Sequence, residues 1–583
     1  MNMAMISANG WLQITLYFVV LFVCVKPLGI YMAKVFAGEK TFMSPVLGWL
    51  ERGFYRIAGI DPSEEMGWKE YACALLAFSF LSFLALYGLL RFQNALPVNP
   101  GRMAALPPDL AFNTAVSFIT NTNWQAYAGE STMSHLSQMV GLTVQNFLSA
   151  GIGMAVLMTL IRGFTRRNAA TVGNFWADLV RGVLYILLPL ALILAPLLVS
   201  QGVVQSLSPA IVANHDKDIK PVEQLIFLGP VASQVAIKQL GTNGGGFFGA
   251  NAAHPFENPT PLSNFLQMLT ILLIPASLCI TFGRMVGNVR QGWVLLAAMT
   301  FIFVPFMLFG VFNEQAGNAK FSILNKDQAT ITLLSSGNME GKEARFGIIN
   351  SALWSAVTTA AANGSTNAAQ DSFTPLAGLV SMAFIQFGEV IFGGVGTGLC
   401  GMLIFVMFTV FIAGLMVGRT PEYLGKKINA FDIKMASLAV LAPHLAALIG
   451  AAIAVMFQGG QPAAGNPGAQ GFSEILYAFS SAANNNGSSF AGLSPNTPFY
   501  NTAIGLAMIF GRYFVMIPML ALAGSLASKN AVPRSAGTLQ TTTPLFVFLL
   551  VSVVVMVGVL AFVPSLALGP IAEHFTMIGR GAM

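Results

Sequence analysis

Ten long apolar stretches decide most of what this chain can fold into. They run over about 11–32, 70–91, 138–161, 182–203, 263–283, 292–312, 376–417, 435–457, 499–527 and 544–568. Each is about 20 residues or longer, which is the length an α-helix needs to cross a hydrocarbon core of about 30 Å. The seventh is about twice that length and is interrupted by glycines, so it reads as one broken span. Only 9% of the 583 residues are Asp, Glu, Lys or Arg, against about 25% in a soluble protein. That combination excludes a soluble enzyme, a disordered chain and a nucleic-acid binder. The fold class is an all-α polytopic membrane protein of about ten transmembrane helices. The first ten residues carry no Lys or Arg. The first stretch therefore lacks the basic region of a signal peptide and reads as a true span.

Basic residues mark one set of loops. Lys34, Lys40, Arg52, Arg56 and Lys69 follow the first span, Arg166 and Arg167 the third, and Arg284 and Arg290 the fifth. Arg419, Lys426, Lys427 and Lys434 follow the seventh, and Lys529 and Arg534 the ninth. Loops after even spans are longer but poorer in basic residues, and 458–498 has none. Cytoplasmic loops collect Lys and Arg, which places the odd-span loops in the cytoplasm and both termini outside.

The long outer loops repeat one pattern, a short helix-like run followed by a small polar run. Pro107 to Phe118 precedes TNTNWQ at 120–125, and Pro230 to Leu240 precedes GTNGGG at 241–246. Phe346 to Val357 precedes TTAAANGS at 358–365, and Phe472 to Phe479 precedes SSAANNNGS at 480–488. Aligned on Gln125, Gly244, Gly364 and Gly487, they recur about every 120 residues, a regular internal repeat. The organisation read from this is a first span and loop over 1–69, then four pore repeats over 70–165, 166–285, 286–418 and 419–528. The third repeat contains the broken helix, and 529–583 adds the last span and C-terminus.

A helix of about 10–12 residues is too short to cross a bilayer. It can dip in and return where its irregular backbone is buried in protein or lines a water-filled cavity. Pro107 and Pro230 suit first-turn positions, where the missing N–H costs little, and Ser473 suits the cap of the fourth run. Gly and Asn in the loops tolerate left-handed backbone, and the negative helix ends point toward the loops. Four such loops about one axis make a ring of carbonyl oxygens, a means of replacing the hydration shell of a cation such as K⁺. Any single Gly/Asn run reads equally well as a surface turn; four in register favour the ring. GTNGGG lacks the GK[ST] of a phosphate loop and GGVGTG at 393–398 follows no soluble strand, so neither reads as a nucleotide site.

The sparse charges and cysteines are informative in their turn. Arg512 lies well inside the ninth span and Glu389 in the seventh, where a charge should face the protein interior. Asp371, Glu130 and Glu257 follow the third, first and second polar runs. They read as cation-focusing carboxylates of an outer vestibule or as ordinary solvated loop charges. Cys24, Cys73, Cys279 and Cys400 lie in apolar runs without zinc-ligand spacing, and read as buried small hydrophobes. No phosphorylation signature or large polar insert appears, so ATP-driven work would need another chain.

Several stretches resemble one known family. They are NTAVSFITNTNWQ at 113–125, GLTVQNFLSA at 141–150, GTNGGGFF at 241–248, HPFENPT at 254–260, NMEGKE at 338–343, GRTPEYLGKK at 418–427 and SSAANNNGS at 480–488. The family is the potassium-binding subunit of the bacterial Kdp-type potassium-pumping ATPase. It belongs to a superfamily of potassium transporters built from four span–pore-helix–span units. The resemblance implies a K⁺ filter of Thr122, Asn123, Trp124 and Gln125, of Thr242, Asn243 and Gly244, of Ala362, Asn363 and Gly364, and of Asn485, Asn486 and Gly487. It implies a flexible loop beneath, with Glu389, Gly393, Gly394, Gly396 and Gly398 as gate or tunnel residues, and Arg512 as a barrier to leak. Gln125 is expected to narrow the filter. In the third filter ANGST at 362–366 departs from the small-Cys-Gly pattern of some members.

The resemblance further implies a chain that is not an enzyme by itself. It would hand K⁺ through an intramembrane tunnel to a P-type ATPase catalytic subunit, with an accessory subunit, a small single-span peptide and membrane lipid as its other partners. No tightly bound cofactor is expected, since ATP and Mg²⁺ are used by the partner, and the location implied is the bacterial cytoplasmic (inner) membrane. The alternatives are a self-sufficient K⁺ channel or ion-coupled carrier of the same superfamily, and, more weakly, a membrane-embedded enzyme.

Overall fold

The computed structural model describes residues 6–214, 223–318, 337–388, 390–418, 420–457, 460, 463–533 and 538–579. Glu389, Arg419 and Arg534 lie outside the described residues. Among those described, ten helices are long and apolar enough to cross a membrane. They are Ala8–Phe36, Trp68–Arg91, Ser137–Thr165, Phe175–Ser200, Pro261–Met285, Val289–Ala316, Thr397–Met416, Ala430–Met456, Pro498–Ala527 and Pro544–Gly579. The third and fifth form the centre of the bundle, each with 83% of its apolar window buried, against 28% for the first and second. The first span packs along the fifth, and the eighth along the ninth.

Several spans begin on the same local signal. Thr260, Thr497 and Thr543 are N-caps whose hydroxyls accept from the backbone N–H of Ser263, Tyr500 and Phe546. Each is followed by a proline at the first helical position. The hydroxyl satisfies one orphan N–H, and proline has none to lose there. Once inside, the helices approach closely where side chains are small. A Cβ on Gly163 of the third span would meet the Ala523 backbone of the ninth.

The four short helices are Pro108–Ile119, Val231–Leu240, Gly347–Ala360 and Ala469–Ala483. Pro107 and Pro230 are N-caps, one residue ahead of the first turn. The fourth helix has 15 residues and starts after Gly468, whose φ of 70° makes the entry turn. Ser473 is therefore not its cap: it sits a turn inside, and its hydroxyl donates back to Ala469 O at 3.0 Å. The seventh apolar stretch divides into Pro375–Gln386, irregular segments over 387–388 and 390–396, and Thr397–Met416. Only the last of these is long enough to cross.

The loops segregate to two ends. After the first and third spans, Glu65 accepts from Arg166 at 2.8 Å and Met66–Gly67 pairs antiparallel with Thr171–Gly173. Lys426, after the seventh span, donates to Lys529 O, after the ninth, at 2.8 Å. At the other end Lys342 pairs with Glu314 at 2.5 Å, and Arg345 donates to Asn258 O at 2.6 Å. All four cysteines are free. Cys279 and Cys400 are buried as expected, whereas Cys73 is exposed on the outer face of the second span.

Candidate ion-selectivity site

Each short helix runs into a tight turn, and the hydrogen bonds fix which residues correspond. The N–H of Thr122 donates to Ser117 O at 2.9 Å, Asn243 to Lys238 O at 2.9 Å, Asn363 to Thr358 O at 3.0 Å and Asn486 to Ser481 O at 2.9 Å. The residue before each has positive φ: Asn121 65°, Thr242 47°, Ala362 48° and Asn485 51°. The residue after each has it again: Asn123 54°, Gly244 72°, Gly364 84° and Gly487 93°. Asn123, not Gln125, is therefore the counterpart of the three glycines, and the alignment on Gln125 is two residues out of register. Asn, like Asp, tolerates left-handed backbone better than other side-chain-bearing residues, so it stands where the other repeats use Gly.

The four turns abut in a closed ring. A Cβ on Gly244 would fall on Asn363 O, one on Gly364 on Asn486 O, and one on Gly487 on Thr122 O. Asn123 completes the circuit by donating its amide to Gly244 O at 3.2 Å. Asn amides bridge every seam. Asn121 donates to Thr242 O at 2.8 Å, Asn363 to Lys238 O at 3.0 Å, Asn486 to Thr358 O at 3.0 Å and Asn485 to Thr122 Oγ1 at 2.9 Å. Asn363, the departure in the third run, thus makes the same cross-seam bond as Asn486. Thr122, Asn123, Trp124, Thr242, Asn243, Ala362, Asn363, Asn485 and Asn486 are all buried. Trp124 O accepts from Ser117 at 2.9 Å. Gln125 lies just beyond the ring and joins the first loop to the second, donating to Gly246 O at 3.0 Å and accepting from Gly246 N at 2.9 Å.

Beneath the ring the broken seventh stretch is tied to two loops. Gly393 N donates to Ala360 O at 3.0 Å, and Val395 N donates to Thr242 Oγ1 at 2.9 Å. Gly394 O accepts from Gly398 N at 3.0 Å. Gly396 and Gly398 have no room for a Cβ, which would fall on Gly153 O and Phe392 O. Arg512, 4% exposed, donates to Ser149 O at 3.1 Å. It lines a small cavity of about 40 Å³ with Gly388, Thr397, His444 and Asn485, so it does face the protein interior and sits beside the fourth turn.

The three carboxylates behave differently. Glu257 is fully buried and paired with Lys238, so it is not a vestibule charge; the reason is an ammonium that a lone Lys in the second short helix supplies. Glu130 accepts from Gly249 N at 2.7 Å, holding the second loop. Asp371 is half-buried, and burial pushes its carboxyl above the usual carboxylate range. Sequence reasoning missed Asn121 and Lys238. The signal for Lys238 was present as the one charge in VASQVAIKQL. Among the described residues no group of three or more His, Cys, Asp or Glu could hold a metal ion.

Ten candidate spans and four short helices ending in one closed ring define a four-repeat, all-α polytopic membrane fold. The crystal structure of the potassium transporter TrkH from Vibrio parahaemolyticus has the same fold. It matches with a TM-score of 0.50 at 15% identity, over 87% of this chain and 96% of that one. The family is narrower than the fold. The family model described as Potassium-transporting ATPase A subunit matches residues 15–575, and the chain belongs to that family. It is 63% identical to the potassium-transporting ATPase potassium-binding subunit of Sorangium cellulosum, over 98% of this chain and 100% of that protein. The subunit of the same name from Methylococcus capsulatus is 60% identical over 98% of this chain and 100% of its own length.

Proposed function

We propose that the chain binds external K⁺ in the ring and delivers it, through an intramembrane path that starts at the cavity beside Arg512, to a P-type ATPase partner. The closed ring of four buried turns carries this reading. It offers backbone carbonyls and neutral side chains, which replace the hydration shell of a cation without trapping it. The negative ends of four short helices converge there. The ring residues are Thr122, Asn123, Trp124, Thr242, Asn243, Gly244, Ala362, Asn363, Gly364, Asn485, Asn486 and Gly487, with Gln125 bracing the first seam. Arg512 opposes free passage below, and the segment with Gly393, Gly394, Gly396 and Gly398 diverts the ion.

The chain does no hydrolysis in this reading. ATP and Mg²⁺ belong to the catalytic subunit, and an accessory subunit and a small single-span peptide complete the assembly. The complex sits in the bacterial cytoplasmic membrane, with the ring and both termini of this chain outside. The names of the relatives, potassium-binding subunits of a potassium-transporting ATPase, support the division of labour. Uptake of K⁺ at micromolar concentration by cells expressing the chain with and without its ATPase partners tests it. Uptake is expected only with the partners; robust uptake by the chain alone overturns the reading in favour of a self-sufficient channel or carrier.

A further inference from the structure

One helix position does the same work in all four repeats. Ser117, Lys238, Thr358 and Ser481 are each fully buried, and each backbone carbonyl accepts from the turn that follows. Each side chain also holds its own turn. Ser117 donates to Trp124 O at 2.9 Å, Thr358 to Asn363 Oδ1 at 3.2 Å, and Ser481 accepts from Gly487 N at 2.9 Å. In the second repeat the hydroxyl is replaced by an ammonium: Lys238 Nζ donates to Gly245 O at 2.8 Å. Its other partners are Asn251 Oδ1 at 2.8 Å and the Glu257 carboxylate.

A full positive charge beside a cation-binding ring is a liability unless it is cancelled. An unpaired buried charge is also strongly destabilising. Glu257 meets both demands. It is 0% exposed, touches the ammonium directly, and its carboxylate lies against Gly246, the next residue of the same loop. Phe248 N donates to its second oxygen at 3.4 Å, and Gln267 holds its backbone carbonyl at 3.0 Å. The HPFENPT segment that carries it is fixed by His254 stacked on Phe248, ring centroids 3.7 Å apart.

We propose that Lys238, neutralised by Glu257, is a positioning residue that determines specificity at the ring. The ammonium sets where the Gly245 carbonyl stands, and the carboxylate keeps the second quarter of the ring from repelling K⁺. This rests on the ring being the K⁺ site. The device has two separable parts, charge balance and carbonyl placement. Glu257→Gln keeps the shape but leaves the ammonium uncancelled. Lys238→Met with Glu257→Gln is neutral again but leaves Gly245 O without its donor.

The test is K⁺- and Rb⁺-dependent ATPase activity of the complete complex, with thermal melting of the same preparations. Glu257→Gln is expected to raise the KM for K⁺ at least tenfold with the maximal rate retained. The double variant is expected to recover most of that KM while discriminating K⁺ from Rb⁺ at least threefold less well than the wild type. Lys238→Arg, which keeps the charge, is expected to stay within threefold of the wild-type KM. If Glu257→Gln does not assemble, the double variant alone decides, through its ion discrimination at unchanged melting temperature. Equal KM in single and double variants, or unchanged discrimination in the double, overturns the proposal. Gly364→Ala is measured alongside. If it too leaves the KM unchanged, the ring reading itself fails; if it raises the KM while the pair variants do nothing, only the role of the pair fails.

Discussion

Gly244→Ala puts the ring to its most direct test. Gly244 has φ of 72°, a conformation that costs an L-residue about 1–2 kcal/mol. Its new Cβ would fall on Asn363 O, an atom of the next loop's backbone. Backbone cannot rotate aside as a side-chain tip can, and forcing extra atoms into a packed site costs about 1–3 kcal/mol. The sum is about 2–5 kcal/mol. At about 1.4 kcal/mol per tenfold, that is about thirtyfold to a few thousandfold in the population of an intact ring. The seam between the second and third loops can open slightly, so the lower end is expected: a KM for K⁺ about thirtyfold higher in the ATPase assay of the complex, with the maximal rate reached at saturating K⁺. Gly287→Ala separates the two terms. Its φ is 73° and nothing lies within 4 Å of its Cβ position, so it carries the backbone strain without the contact. It should lower the melting temperature and leave the KM alone. A Gly244→Ala protein that behaves like Gly287→Ala would refute the reasoning.

Three further outcomes follow from the same geometry. Arg512→Ala removes the cation beside the fourth turn, so ATP-independent Rb⁺ efflux from liposomes containing the complex should rise at least tenfold, while Arg512→Lys should stay tight; equal efflux from all three proteins counts against the barrier role. Thr242→Val leaves the buried Val395 N–H without its acceptor. A lost partner of this kind costs about 1–3 kcal/mol, so amide exchange over 390–396 should quicken by about 5- to 140-fold. At the basic end, the Arg166 guanidinium, and Thr171 after it, hold the Glu65 carboxyl below the usual carboxylate range. A group whose folded pKa is depressed contributes stability above its unfolded value, about 4.3, and loses it as pH falls through the folded value. The melting-temperature difference between wild type and Glu65→Gln should therefore be present at pH 7 and shrink below about pH 4; a difference independent of pH contradicts the assignment.

Much of the fold was legible because its causes are local. A run of about 20 apolar residues crosses a membrane whatever its neighbours do, and each of the ten runs contains one helix of that length. Thr-Pro marks the start of three of them through contacts within four residues. The glycines that break the seventh stretch are visible as glycines, and the chain breaks there. The repeat of about 120 residues likewise located all four turns before any contact was known. Ser473 shows where local reading stops: a serine near the start of a run is a good cap, yet the helix extends past it because Gly468 turns the chain earlier.

The sequence by itself determined that this is a ten-span membrane protein with four short helices and neutral, Gly/Asn-rich turns. Only the tertiary structure decided which residues of those turns correspond and what stands behind them. Asn and Gly share tolerance of left-handed backbone, so the local pattern cannot say that Asn123 rather than Gln125 matches Gly244. The hydrogen bond from Thr122 N to Ser117 O settles it. The ring itself closes only through seams between residues more than a hundred apart, such as Asn363 and Lys238 or Asn485 and Thr122. Arg512 finds the Ser149 carbonyl, and Glu257 finds an ammonium instead of solvent, for the same reason. A bilayer selects apolar length one segment at a time, but a buried polar group must find a particular partner, and that partner is set by how the segments pack.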